Sequence, residues 1–153
     1  MPDWPEHVLW WHLYPLGFVG APIRDGVDPD AEPVHRLDRI DAWLDHVIEL
    51  GLNGLLLGPI FASETHGYDT VDHFRVDPRL GDDADVDRLL AASRERGIRV
   101  LFDGVFNHVG RGHPAFRAVL DGGDATLFRG AWVDGRFEPE VFEGHGALVA
   151  LDH

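Results

Sequence analysis

The stretch Ile98 to His108, Ile-Arg-Val-Leu-Phe-Asp-Gly-Val-Phe-Asn-His, constrains the fold more than any other. It opens on a nearly unbroken apolar run and closes on a carboxylate, an amide and an imidazole: Asp103, Asn107 and His108. Bounded by Gly97 and Gly110, such a run predicts a strand buried on both faces of a parallel sheet. The far end of such a strand is where α/β folds gather reactive side chains. Taken alone, the same residues equally describe a core strand that ends in three polar loop residues.

The remaining chain supplies neighbours for that strand. After a polar lead-in, Met1 to His7, the short aromatic and apolar segment Val8 to Tyr14 predicts a first strand. Pro15 to Pro33, rich in Gly, Pro and Asp, predicts a loop. From His35 to Leu50, the residues Leu37, Ile40, Trp43, Leu44, Val47 and Ile48 recur on one helical face, and Gly51 supplies a stop. Leu52 to Leu57 predicts a second strand, ended by Gly58-Pro59. The connection from Pro59 to Asp83 is long, and loops of that length are uncommon in compact domains unless functional. It carries Thr65-His66-Gly67-Tyr68-Asp69 and Asp72-His73. Asp82 or Asp83 is placed to cap a second helix, Ala84 to Arg96, with Val86, Leu89 and Leu90 facing inward.

Strand, helix, strand, helix, strand predicts an α/β fold with a parallel sheet. Three such strands alone leave an apolar edge unpaired, an aggregation hazard. The topology therefore reads as the N-terminal portion of a TIM (β/α)8 barrel. Residues 1–108 form its first βαβαβ part. Residues 109–153 form an irregular insertion that leads towards a fourth strand. That insertion contains a helical stretch at Ala115 to Leu120, a turn at Asp134-Gly135 flanked by Trp132 and Phe137, and Leu148 to His153 as a bridge back to the sheet.

Charge excludes several partner classes. The formal net charge is −14, and all 13 basic residues are Arg. A nucleic-acid partner requires a positive stripe, and an anionic membrane surface requires a basic one, so neither is expected. No Cys is present, which removes disulfides and thiolate metal sites. No apolar run is long enough to span a bilayer, and no signal peptide is evident, so the cytoplasm is the expected compartment.

In a parallel barrel the loops that follow the strands share one face. Tyr14, the His66 to Tyr68 turn, and Asp103, Asn107 and His108 would then surround one cleft. Such a lining suits a sugar, whose apolar ring face stacks on aromatics while its hydroxyls meet carboxylates and imidazoles.

At these residues the chain resembles the α-amylase superfamily, glycoside hydrolase family 13. Asp103-Gly-Val-Phe-Asn107-His108 looks like that family's first signature. Val8 to Phe18 is similar to its first strand, and Gly51 to Ile60 to its second. His66-Gly67-Tyr68-Asp69 through Asp77-Pro78-Arg79-Leu80-Gly81 resembles the loop that follows. The resemblance covers residues 8 to 116, and the remainder loosely. The segment Tyr68 to Pro78 is closer to the neopullulanase and cyclomaltodextrinase branch than to others. Thr65 stands where exo-acting α-glucosidases of the family usually carry Asp.

The resemblance implies retaining hydrolysis or transglycosylation at α-glucosidic bonds of maltooligosaccharides, cyclodextrins or related α-glucans. Tyr68 would be the aromatic platform, His66 and His108 would hydrogen-bond the sugar hydroxyls, and Asp103 would support the site. Asn107 matches a position that ligates calcium in many members, but Ala150 stands where a later ligand often sits. No resident cofactor is therefore expected, and calcium would rest on Asn107 alone. The nucleophile and acid/base of the family come from later strands, and no stretch here resembles those signatures. Retaining glycosidases need two carboxyl groups about 5–5.5 Å apart. The chain is thus expected to carry substrate-binding residues, to hold none of the catalytic ones, and to be inactive alone. The rest of the barrel would come from a longer chain or a partner.

Two other readings stay open at this point. One is a non-catalytic carbohydrate-binding or complementing fragment. The other is a metal-dependent hydrolase using Asp69, Asp72, His73, Asp103, His108 and His113, although no His-Glu-x-x-His spacing supports it. A nucleotide-binding reading has less support still, because no Gly-x-Gly-x-x-Gly or P-loop follows the first strand.

Overall fold

The computed structural model describes residues 3–24 and 27–153. Met1 and Pro2 of the expected lead-in, and Asp25 and Gly26 of the expected loop, lie outside them. A 3-10 turn (Trp4–His7) comes first in chain order, then strand β1 (Trp10–Leu13), a helical turn α1 (Pro15–Phe18), and short helices α2 (Asp38–Asp41) and α3 (Leu44–Glu49). Strand β2 (Gly54–Leu57) leads to the hairpin strands β3 (Phe61–Ser63) and β4 (Thr70–Val76), then helix α4 (Asp83–Glu95) and strand β5 (Arg99–Phe102). After these come strand β6 (His108–Gly110), helix α5 (Pro114–Leu120), strands β7 (Gly130–Val133) and β8 (Arg136–Pro139), and strand β9 (Leu148–Ala150).

β1, β2 and β5 form a parallel sheet in that order, as the alternation of elements predicts. β2 is central and carries Leu55 and Leu57 into a core built with Leu13, Leu16, Ile40, Leu44, Val47, Leu89 and Ile98. Gly54 lets β1 approach at the sheet's lower end, since a Cβ there would lie 2.4 Å from Val8 Cγ1 and 2.6 Å from the Trp10 ring. A second apolar cluster joins Val109 of β6, Phe116 and Val119 of α5, Phe128, Phe137 of β8 and Val149 of β9. The Asp134-Gly135 turn forms as expected, with both residues at positive φ, 49° and 77°, as a two-residue hairpin loop requires.

Several expectations are corrected. The single helix over His35 to Leu50 is two short helices. Its first turn is lost because Val34, Arg36 and Leu37 donate their amides to the carbonyls of Pro78 and Leu80, at 2.8, 2.8 and 3.1 Å. It is interrupted at Ala42 and Trp43, where the Trp43 ring packs on Trp11 and Phe18. The Pro59 to Asp83 connection is not a plain loop, because β3 and β4 pair antiparallel within it through a shifted register. The strand read over Ile98 to His108 stops at Phe102, and His108 opens a different strand. Nor is it buried on both faces. β5 is an edge strand hydrogen-bonded to β2 alone, and Leu101 is 47% exposed. Leu148 to His153 does not bridge to the parallel sheet, since β9 pairs antiparallel with β6, Ala150 opposite His108. No helix among the described residues is long and apolar enough to cross a membrane.

α4, at 13 residues, is the longest helix among the described residues. Asp82 accepts from the Asp85 amide at 3.0 Å, and Asp85 accepts from the Asp82 amide at 2.8 Å, a reciprocal capping box. His35 Nδ1 sits 2.6 Å from Asp85 Oδ2, and Arg88 pairs with the other oxygen. The hydrogen bond to Asp85, aided by its charge, lifts the His35 imidazole above its ordinary value of 6.5. Burial works to raise the Asp85 carboxyl, but hydrogen bonds from His35, the Asp82 amide and Arg88 outweigh it and pull it down to about 2.

The two groups give opposite pH dependences. The raised His35 stabilises fully below its unfolded value and loses that contribution as pH rises through its folded value. The lowered Asp85 contributes above its unfolded value and fades only as pH falls towards its folded one. The difference in Tm between the protein and His35→Ala should therefore be largest near about pH 5 and shrink steadily towards about pH 9. A difference that stays constant in thermal melts across that range would refute the pairing.

Candidate functional site

The candidate site lies where the β3–β4 loop meets the ends of β2 and β5. Its foundation is an ion pair that water does not reach. Asp77 is 1% exposed and Arg79 6%. Asp77 accepts from Arg79 Nε at 2.8 Å and Nη2 at 2.6 Å, and from the Ser63 hydroxyl at 3.0 Å. Arg79 Nη1 donates to the carbonyls of Thr65, at 2.5 Å, and Pro22, at 2.8 Å. The guanidinium thus fixes the start of the loop that carries His66 and Tyr68. From the other side, the Tyr14 hydroxyl donates to the His66 carbonyl at 2.9 Å. Gly67 takes a φ of 95°, which turns the chain between the two site residues.

On that loop the His66 and Tyr68 rings lie 6.0 Å apart at 45°. His66 Nδ1 accepts from the Tyr68 amide at 3.2 Å, which assigns its proton to Nε2. Tyr68 is exposed. Partial burial, and then the charge of Asp103, push its hydroxyl above the ordinary value, which places the Asp103 carboxylate within electrostatic reach. Asp103 follows β5, anchored by its amide to the Leu57 carbonyl at 2.9 Å. The next residues are held by His73, whose Nε2 lies 2.8 Å from the Val105 carbonyl.

Beneath Tyr68 sit groups with unmet hydrogen-bonding capacity. Asp69 takes the Thr65 hydroxyl on Oδ2 at 2.5 Å, while its buried Oδ1 has no partner. His108 is 4% exposed, and both its ring nitrogens are buried without a hydrogen bond of good geometry, the Tyr68 main chain being the near polar neighbour. Burial lowers its pKa, reinforced by His66 and His145 and opposed by the Tyr68 backbone and Asp69, so the ring is neutral near pH 7. Phe142 stacks on it with centroids 4.6 Å apart at 29°. Buried polar groups are normally hydrogen-bonded, so each unpaired one calls for an explanation, an ordered water or a bound ligand among them.

The structure therefore brings His66, Tyr68, Asp103 and His108 together, with Asp69 among them. It does not bring Asn107, which is exposed on the loop and uses its carbonyl to accept from the Leu151 amide at 3.0 Å. Among the described residues, the one cluster of three or more metal-capable His, Asp or Glu atoms is His35, Asp82 and Asp85. A calcium shell needs six to eight oxygens, and none of the clustered His, Asp or Glu atoms lies beside Asn107, so such a site would need ligands beyond these. The six residues of the metal-hydrolase reading do not form one cluster: His73 and His113 lie side by side with ring centroids 6.1 Å apart, whereas Asp69, Asp103 and His108 gather near Tyr68. Asp69 holds Thr65, His73 holds Val105, and His113 caps α5 by accepting from the Ala115 amide. No sequence pattern assigned a role to Arg79 or Phe142. Asp77-Pro78-Arg79 stood out only as a motif, and Phe142 lies in a Gly-rich stretch with no periodicity.

Comparison with known proteins adds to this geometry. A family model described as the alpha amylase catalytic domain matches residues 28–129. A cyclomaltodextrinase of Bacillus sp is 35% identical over 158 residues, covering 94% of this chain and 28% of that protein. Neopullulanase 2 of Thermoactinomyces vulgaris is 35% identical over 141 residues, covering 84% and 24%. A solved structure of the cyclic alpha-maltosyl-(1→6)-maltose hydrolase of Arthrobacter globiformis superposes with a TM-score of 0.76 at 28% identity, over 98% of this chain and 38% of that one. The chain spans about a quarter of the length of the curated relatives it matches.

Breaking the buried pair tests the foundation of the site. Arg79→Met leaves the Asp77 carboxylate buried and uncompensated, and should lower the free energy of unfolding by about 3–5 kcal/mol in urea titrations. The double variant Asp77→Leu/Arg79→Met should be less destabilised than the sum of its single changes. Loss of under ~1 kcal/mol in Arg79→Met would contradict the network.

Proposed function

Because the chain belongs to the α-amylase catalytic-domain family, and its fold is part of that family's (β/α)8 barrel, we propose that it holds an α-glucan in the cleft of a glycoside hydrolase or transglycosylase. Tyr68 is the platform on which a glucosyl ring stacks. His66, through Nε2–H, and His108, through its two ring nitrogens, take the sugar hydroxyls. Asp103 supports the platform from the end of β5. The observation that carries this reading is the set of buried, unpaired polar atoms on His108 and Asp69 below an exposed aromatic ring. A sugar offers both an apolar face and ring hydroxyls, and so answers both halves of that arrangement. Maltooligosaccharides and cyclodextrins are the proposed ligands, in keeping with the cyclomaltodextrinase and neopullulanase names of the relatives.

The catalytic carboxylates are proposed to lie outside these residues. The sequence offers no match to the family's later signatures, and the carboxylates at the site are committed to support, with Asp69 on Thr65 and Asp103 beside Tyr68. The unpaired edge of β5, with Leu101 exposed beside it, supports completion of the sheet by a further strand from a longer chain or a partner.

Titration calorimetry with maltoheptaose tests the reading. The protein should bind the sugar saturably, and Tyr68→Ala should weaken binding by about ten-fold, equivalent to ~1.4 kcal/mol. Unchanged affinity in that variant would overturn the platform. Pure protein should release no reducing sugar from maltoheptaose. Release that disappears in Asp103→Ala would place catalysis within this chain and overturn the second half of the proposal.

A further inference from the structure

Asp103 and His108 reach the candidate site from one short run of chain, and between them Phe106 stands 66% exposed. A single exposed apolar side chain is common on a protein surface and needs no function when it is free to move. This one is held. The edge of its ring lies over Gly104, where a Cβ would fall 2.4 Å from Cε2 and 2.5 Å from Cζ, so a side chain at 104 would displace the ring. Beside it lies the His73 imidazole, with centroids 5.8 Å apart and the planes only 25° from parallel, an offset stack.

The support is itself fixed. His73 Nε2 lies 2.8 Å from the Val105 carbonyl, which ties the imidazole to the same loop that bears Phe106. Behind His73 comes His113, with ring centroids 6.1 Å apart, and His113 is anchored as the cap of α5. Among the described residues no second ring stacks on Phe106. A flat apolar ring, backed on one side and open to solvent, is thus presented in a set orientation. Much of the entropy that a ligand would lose in ordering a loose side chain is already spent in the free protein.

The ring also stands in register with the site. The loop that bears Tyr68 runs directly into β4, and β4 carries His73, so one strand sets the position of both exposed rings. Asp103 links them from the other side, since its charge reaches the Tyr68 hydroxyl and Phe106 lies against the glycine that follows it. We propose that Phe106 is a second stacking platform, which takes a further glucosyl unit of the α-glucan that Tyr68 holds. This rests on the sugar-binding reading of the site. An α-glucan offers an apolar ring face on each glucosyl unit, and a second contact made by a chain already bound costs no further loss of overall freedom. The pair of platforms therefore selects for chain length: a single sugar ring meets Tyr68 alone, and a longer chain meets both.

Two ligands separate the platforms, maltoheptaose followed by titration calorimetry and methyl α-glucoside followed by NMR titration. Phe106→Ala should weaken maltoheptaose binding about five-fold and leave the affinity for methyl α-glucoside unchanged. Phe106→Tyr keeps the flat ring and should bind both as the unaltered protein does. Phe106→Leu, apolar but not flat, reads the same loss if Phe106→Ala does not fold. Maltoheptaose affinity that is unchanged in Phe106→Ala but weakened in Tyr68→Ala overturns the second platform and leaves the sugar reading standing. Equal weakening for both ligands also overturns it, because Phe106 then shapes the place of the first ring. Absence of maltoheptaose binding in every protein, the unaltered one included, sinks the sugar reading and the second platform with it.

Discussion

The guanidinium of Arg79, buried against the Asp77 carboxylate, is the interaction on which the candidate site depends. A charge removed from water is costly unless each of its donors finds an acceptor, and the pair gains little if any are left over. Here Nε and Nη2 go to Asp77, Nη2 also to the Ser63 hydroxyl, and Nη1 to two main-chain carbonyls. The fork geometry matters, because a lysine ammonium could not reach a carboxylate, a hydroxyl and two carbonyls on different segments at once. Through those contacts one side chain draws together the stretch after α1, the end of β3 and the loop that bears His66 and Tyr68. The Tyr68 loop owes its place to a charge almost wholly withdrawn from solvent.

Much of the architecture could be read from the sequence because its cause is local. α4 declares itself through period, cap and stop, with Asp82, Leu89 and Gly97 each legible in place. β1, β2 and β5 are apolar runs bounded by breakers. The misreadings all have tertiary causes. The helix expected from His35 starts late because Leu80 supplies a carbonyl to the Arg36 and Leu37 amides, and no periodicity within the helix contains that fact. The β3–β4 hairpin escaped because β3 is three residues long and its register slips, so neither strand alternates cleanly. An apolar run also cannot say whether a second layer lies over each face of the sheet, which is why β5 reads from the sequence as covered on both and Leu101 is nonetheless exposed.

The site divides in the same way. His66, Tyr68, Asp103 and His108 were named through motifs whose order resembles a known family, and the fold gathers them. Asn107 belonged to the same motif, yet it faces outward, since a motif fixes spacing and not the shell of oxygens around it. Phe142 had no signal of any kind. Its stack on His108 is made across 34 positions of chain by the pairing of β6 with β9, a long-range contact that local pattern cannot encode.

The arrangement also implies an order of events at the surface. Tyr68 is open to solvent, whereas the groups that would read a sugar's hydroxyls are buried beneath it. Stacking is weakly directional and needs no desolvation of polar atoms, so it can hold a ring before anything else is in place. Hydrogen bonding to His108 and Asp69 is directional, and it becomes favourable only where water is already excluded, because a donor first taken from water must be repaid by a well-aligned acceptor. On the proposed reading, a site built with its apolar half outermost and its polar half innermost would capture by shape and discriminate afterwards by hydroxyl position. The unpaired atoms on His108 and Asp69 are, on that reading, those that a ligand would complete in that second step.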